Sequence, residues 1–134
     1  MRDEPTGAQL LETARTVLRE ALLPALAAEH RHAALMIANA MIIAMRQLQN
    51  GEDGERRELD SLQRLLGHPA GDGPADGAEL RRRLIGLERE FAHAIRAGRG
   101  DAGPWRDAAR RHLLETVRTK VMESNPKYLA GQGG

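Results

Sequence analysis

Apolar residues recur at helical spacing along almost the whole chain, and one stretch departs from that spacing by being apolar on every side. Ala33 to Met45 reads AALMIANAMIIAM, thirteen residues with a single polar interruption at Asn39. No face of it is favoured, and a helix that is hydrophobic all round is expected to be buried all round. At ~1.5 Å per residue the run is about 20 Å long, and His30, Arg31, His32 and Arg46 bracket it closely. A bilayer needs ~20 consecutive apolar residues, so the run is expected in a protein core rather than across a membrane.

The remaining segments are amphipathic and predict helices wrapped around it. Thr6 to Gln9 has the form of a capping box, and Leu10, Leu11, Ala14, Val17, Leu18, Ala21 and Leu22 follow at helical spacing. They predict a first helix over 6–23, which Pro24 ends or kinks. The second helix is expected over 27–49, stopped by a left-handed residue at Asn50-Gly51. A third, over 53–66, carries Leu59, Leu62, Leu65 and Leu66 as a narrow stripe, with Gly67 as its C-cap. HPAGDGPADG is turn chemistry throughout and predicts a loop over 67–77. Asp76 to Glu79 reads as a second capping box, opening a fourth helix over 78–97 with Leu80, Leu84, Leu87, Phe91 and Ile95 on one face. Pro104 suits the first turn of a fifth helix, expected over 104–124 through Ala109, Leu113, Val117 and Val121. Asn125-Pro126 closes it and leaves a tail over 125–134 able to dock Tyr128 and Leu129. No strand or repeat pattern appears. The expected fold is all-α, a single domain over 1–134 built as an antiparallel up-down bundle of about five helices around a buried helix 2.

Composition narrows the function classes. The net charge is +1 over 134 residues, whereas a nucleic-acid or membrane surface calls for a clear basic excess, so neither partner is expected. The absence of cysteine removes disulfides, thiolate metal sites and cysteine nucleophiles, and fits a reducing cytoplasm. The opening residues MRDEPTGAQ lack the apolar core of a signal peptide. Phe91, Trp105 and Tyr128 are the whole aromatic complement, so the core must be made of Leu, Ala, Ile and Met. Arg81-Arg82-Arg83 spreads around its helix at ~100° per residue and reads as solvated surface.

Three constellations could carry chemistry. Glu29 to His32 and Glu90 to His93 are both Glu-x-x-His, the spacing of di-metal carboxylate bundles, with Glu12, Glu20, Glu55 and Glu58 available as further ligands. His93 points away from the apolar stripe of its helix, and Glu29 begins one helix while Glu90 nears the end of another. The match therefore reads as composition, and no metal or cofactor is expected. Arg106 and His112 form an Arg-x5-His spacing at the start of the last helix. It resembles the short motif of the HEPN family of helical nucleases, which would imply metal-independent cleavage of RNA. A half-buried histidine bonded to a neighbour is the plainer account of His112. His32, Asn39 and Arg46 lie seven apart on one seam of helix 2. Asn39, expected to be buried, needs partners there, since an unpaired buried amide costs ~1–3 kcal/mol. The seam either fixes helix register or lines a polar cleft that binds a small anion.

Taken together, RDEPTGAQLLETARTVLREALLPAL at the start, HAALMIANAMIIAMRQL in the middle and SNPKYL near the end resemble a family of small bacterial proteins of unknown function. Genes of that family commonly lie beside aminoglycoside-phosphotransferase-like kinases and acyl-CoA dehydrogenases. The resemblance implies an accessory or interaction module with a phosphotransferase-like partner, and it carries over no catalytic residue. Met36, Met41 and Met45 make the central run richer in methionine than that pattern. Self-association as a homodimer is expected too, to cover a leftover apolar stripe that includes Leu114 and Val121.

Overall fold

The structure is a computed structural model that describes residues 4–69 and 76–132. It is all-α, with no strand among the described residues. The helices are α1 (Gly7–Val17), α2 (Ala28–Asn50), α3 (Asp53–Leu66), α4 (Gly77–Arg96), α5 (Pro104–Ser124) and α6 (Pro126–Gln132). The loop expected over 67–77 falls largely on residues 70–75, which lie outside the described residues, as does the end of the expected tail, 133–134. The chain divides into two compact units, Met1–Gly51 and Glu52–Gly134.

The first unit is an antiparallel helical hairpin. The Thr6 hydroxyl accepts the Gln9 N–H at 3.3 Å and the Gln9 side chain accepts the Thr6 N–H at 2.7 Å, closing the expected capping box. Thr6→Ala is expected to cost the hairpin about 1 kcal/mol, read as a lower melting point by circular dichroism; an unchanged melt would show the cap to be idle. Pro24 lacks an N–H, and its ring would collide with the Glu20 carbonyl in a regular helix. The chain answers by widening: Leu18–Leu22 forms a π turn, with the Leu23 N–H bonded to the Leu18 carbonyl, and Leu23–Ala25 tightens into a 3-10 turn. The expected first helix, 6–23, is therefore regular only to Val17. α2 then returns alongside α1. Leu48 near its end comes so close to Gly7 that a β-carbon there would lie 3.3 Å from it. Arg15 on α1 donates to the Ala38 carbonyl at 3.2 Å. Gly51, at φ +62° and ψ −147°, stops α2, in a region open to glycine alone rather than in the expected left-handed well.

The all-round burial expected of helix 2 is not found. Only Ala34 and Ala38 of α2 are buried, while Leu35, Met36, Ile37 and Leu48 are 46, 61, 51 and 58 % exposed. In place of four companions, α2 has α1 and the turns after it as neighbours within its unit. Asn39 is exposed as well, because at ~100° per residue it stands a full step off the stripe made by Ala34, Ala38, Met41 and Met45.

The second unit holds a conventional core. Leu59, Leu62 and Leu65 of α3 meet Leu80, Leu84 and Phe91 of α4 and Ala109 of α5, with Leu66, Leu87, Trp105 and Ala108 packed around them. Leu62 and Leu80 are fully buried. Gly67 caps α3 in the left-handed conformation, φ +71° and ψ 23°, as its position predicts. The second capping box does not form: the Asp76 side chain makes no cap bond. Glu52, at the head of α3, accepts the Gly77 N–H at 2.7 Å instead and also receives Arg56 at 2.9 Å. α5 turns inward a different face from the one its Leu and Val spacing predicts. Ala109 and His112 are buried, whereas Leu113 and Val117 are 44 and 55 % exposed. Pro126, unable to continue α5, opens the short α6.

Candidate functional site

The polar chemistry of the chain concentrates where α3, α4 and α5 meet. α3 and α5 run antiparallel: Gly54 faces Thr119, Ser61 bonds His112, and the Trp105 indole donates to the Leu65 carbonyl at 2.8 Å. That pairing carries His112 into the interior. Its Nδ1 lies 2.8 Å from the Ser61 hydroxyl, and its ring stands edge-on to Phe91 with centroids 5.3 Å apart. Burial pushes the His112 pKa below the usual histidine value, against the opposing pull of Glu115 and Glu88. The ring is thus neutral at pH 7, and one partner of the Ser61 pair donates while the other accepts. Phe91 also packs on Trp105 at 5.8 Å, and the Arg99 guanidinium lies 4.6 Å over the Trp105 ring.

A serine bonded to a neutral histidine is the beginning of a nucleophile, so the rest of the machinery decides. Ser61 lies inside α3, where backbone N–H groups are committed to carbonyls four residues back, and none is left to hold an oxyanion. The bond instead ties α3 to α5 across 51 residues of chain.

One turn earlier on α3 lies an acidic group. Glu58, with a side chain 13 % exposed, sits 3.9 Å from the Lys120 ammonium. Burial and a side-chain hydrogen bond to Glu88 raise its pKa to about 7, with Lys120 opposing and Glu55 adding to the rise. At neutral pH it is therefore a carboxylic acid as much as a carboxylate, and the proton lies between α3 and α4. Glu55 Oε2 is buried with no hydrogen-bond partner. The sequence held a signal for this group: on the helical wheel Glu55 and Glu58 fall within the Leu59–Leu62–Leu65–Leu66 stripe, where a carboxylate must share a proton or a cation. Among the described residues no cluster of three or more His, Asp or Glu could hold a metal ion.

The residues singled out by the sequence are not brought together. Arg106 is exposed and donates to the Asp101 carbonyl at 3.4 Å, whereas His112 is buried. Six residues of helix turn them about 240° apart, so the Arg-x5-His spacing makes no joint site. His32 and Asn39 are exposed and Arg46 is half-buried. Each step along that seam is about 10 Å, too far for one small anion to bridge all three. Of the two Glu-x-x-His motifs, Glu90 pairs with His68 at 2.8 Å and Glu29 with His30 at 3.5 Å.

Comparison with known proteins gives a family. The family model described as Domain of unknown function (DUF6285) matches residues 24–128, most of the chain, and the chain belongs to that family. No curated protein and no solved structure matches it. No helix among the described residues is long and apolar enough to cross a membrane.

Proposed function

We propose that this member of the DUF6285 family is a non-enzymatic accessory module that works by binding other proteins, a phosphotransferase-like kinase among them. The observation that carries the reading is α2. Its run Ala33–Met45 is apolar but for Asn39, yet its unit covers it on one side, leaving Leu35, Met36 and Ile37 about half exposed. Leu35, Met36 and Ile37 leave the helix on three sides, ~100° apart, and apolar side chains left exposed around one helix fit a surface that other proteins cover. The Ser61–His112 bond and the Glu58–Glu88 pair brace the second unit. A cytoplasmic location fits the lack of cysteine. The kinase-like partner follows from the family resemblance of the opening, central and closing segments, and would place the module in acyl-CoA or related small-molecule metabolism.

Co-expression of the tagged chain with the phosphotransferase-like protein encoded beside it tests the proposal. The two are expected to elute as one species at micromolar concentration. Separate elution at that concentration overturns the kinase partnership.

A further inference from the structure

We propose that the outward side of α4 is a docking seam for an acidic helix of another protein. The seam belongs to the second unit and owes nothing to the α2 surface.

Two orders of residues are written into α4. Leu80, Leu84 and Phe91 are buried and Leu87 packs beside them, which fixes the inward side. At ~100° per residue, Arg82, Ile85, Arg89, Ala92 and Arg96 fall together roughly 140° round from it. Their alternating steps of three and four are those of the a and d positions of a coiled coil, with arginine at every a and an apolar residue at every d. Of the run Arg81-Arg82-Arg83 only Arg82 is in register. Arg82, Arg89 and Arg96 are exposed, and Ile85 is 48 % exposed. A helix packed on one side alone shows a single apolar stripe, and the leucines with Phe91 already fill that one.

The carboxylates of α4 are all committed elsewhere. Glu79 accepts from Arg83 at 2.7 Å, Glu90 pairs with His68 at 2.8 Å, and Glu88 shares the Glu58 proton. Arg82, Arg89 and Arg96 form no ion pair among the described residues. They stand ~10 Å apart along the axis, beyond the ~8 Å screening length of physiological salt, so they tolerate one another. Gly86 lies on the flank of the seam, and a β-carbon added there would meet nothing within 4 Å. No neighbour among the described residues calls for glycine in mid-helix, where it is the poorest residue after proline. A second helix laid against the seam would gain the closer approach.

Charge and register choose the occupant. A second helix repeats every seven residues at the same rise, so carboxylates at its a positions fall level with Arg82, Arg89 and Arg96. Apolar residues at its d positions then cover Ile85 and Ala92. A second copy of α4 fits badly. Laid parallel it sets arginine against arginine at all three levels, and laid antiparallel it sets each arginine against an apolar residue. DNA presents a phosphate every ~3.4 Å along a strand and has nothing to cover Ile85. Exposed ion pairs add little each, so the seam selects its partner by sign more than it holds it by strength.

The probe is a fluorescent three-heptad peptide with Glu at every a position, Leu at every d position and Ala or Gln elsewhere. Anisotropy with the full chain is expected to show saturable binding that tightens at least about threefold when salt falls from about 150 to about 15 mM. The same peptide with Lys in place of Glu is expected to bind at least about tenfold more weakly. Arg89→Glu, at an exposed position, is expected to keep the helical circular-dichroism spectrum and to cut that preference at least about fivefold. Arg82→Glu, Arg89→Glu and Arg96→Glu combined are expected to invert it, a gain of binding that a misfolded chain cannot give. Arg19→Glu, which makes the single change of charge in the first unit, is expected to leave both affinities within about twofold. The proposal is overturned if the Glu peptide shows no saturable binding, or if the two peptides bind alike. A preference that survives the triple substitution overturns it too, as does a double-stranded DNA fragment that binds more tightly than the Glu peptide.

Discussion

Leu62→Ala is expected to destabilise the second unit by about 3–5 kcal/mol, the upper part of the range for leucine truncations in a close-packed core. Leu62 is wholly out of reach of solvent and sits where α3 meets α4 and α5, among Leu59, Leu65, Leu80, Leu84 and Phe91. Backbone on three helices would have to move to fill the void, and the Ser61–His112 and Trp105–Leu65 bonds hold α5 in place against that collapse. For a unit of this size the loss corresponds to a fall in melting temperature of roughly 15–30 °C. Ile85→Ala, at a position 48 % exposed on α4, is expected to shift it little. Thermal denaturation followed by tryptophan fluorescence measures both, and a loss below about 1 kcal/mol at Leu62 would contradict the core described above.

The second large effect depends on pH. Glu58 has its pKa raised to about 7 in the folded chain, against an ordinary value of 4.5. A carboxyl whose pKa is raised by folding binds its proton more tightly in the folded state. Its stabilising contribution is complete below pH ~4.5 and is lost as pH rises through about 7. Glu88 and Glu55 enlarge the loss and Lys120 reduces it. Glu58→Gln copies the protonated acid, keeps a donor for the Glu88 carboxylate and carries no charge to desolvate. The variant is therefore expected to match the wild type near pH 5 and to exceed it by about 1–2 kcal/mol at pH 8, flattening the rise and fall between. Urea denaturation at several pH values checks this. A variant weaker than wild type at pH 8, or a slope left as steep as before, would show that Glu58 is an ordinary ion-pair partner of Lys120.

What the sequence made legible was local. α3 and α5 begin and end where the spacing of leucines, the glycine after Leu66 and the proline at 104 place them, because propensity and capping act within a turn or two. The Thr6 box formed because both of its partners lie within four residues. In the second, the Glu79 N–H that the Asp76 carboxylate was expected to cap bonds the Asp76 main-chain carbonyl at 3.1 Å, while Glu52, twenty-five residues back from Gly77, takes the Gly77 N–H. Distance along the chain hid the Ser61–His112 bond in the same way. The inward face of α5 was misread since alanine and a neutral histidine pack closer to Phe91 than Leu113 and Val117 can. The burial expected of Asn39 assumed that an apolar helix finds all its cover inside one chain. α2 shows half its surface instead, and the amide on its flank meets water. Glu58 entered the sequence reading only as a possible metal ligand, although a carboxylate in phase with leucines already pointed to a shared proton.

The placement of the aromatic residues has a spectroscopic consequence. Phe91, Trp105 and Tyr128 all belong to the second unit, so every near-ultraviolet chromophore of the chain reports on that unit and the hairpin is optically silent. Fluorescence follows Trp105 against Phe91 and Arg99, whereas far-ultraviolet circular dichroism, blind to side chains, weighs both units by their helix content. The separation between the two melting curves is then a direct measure of how independently the halves of this protein unfold.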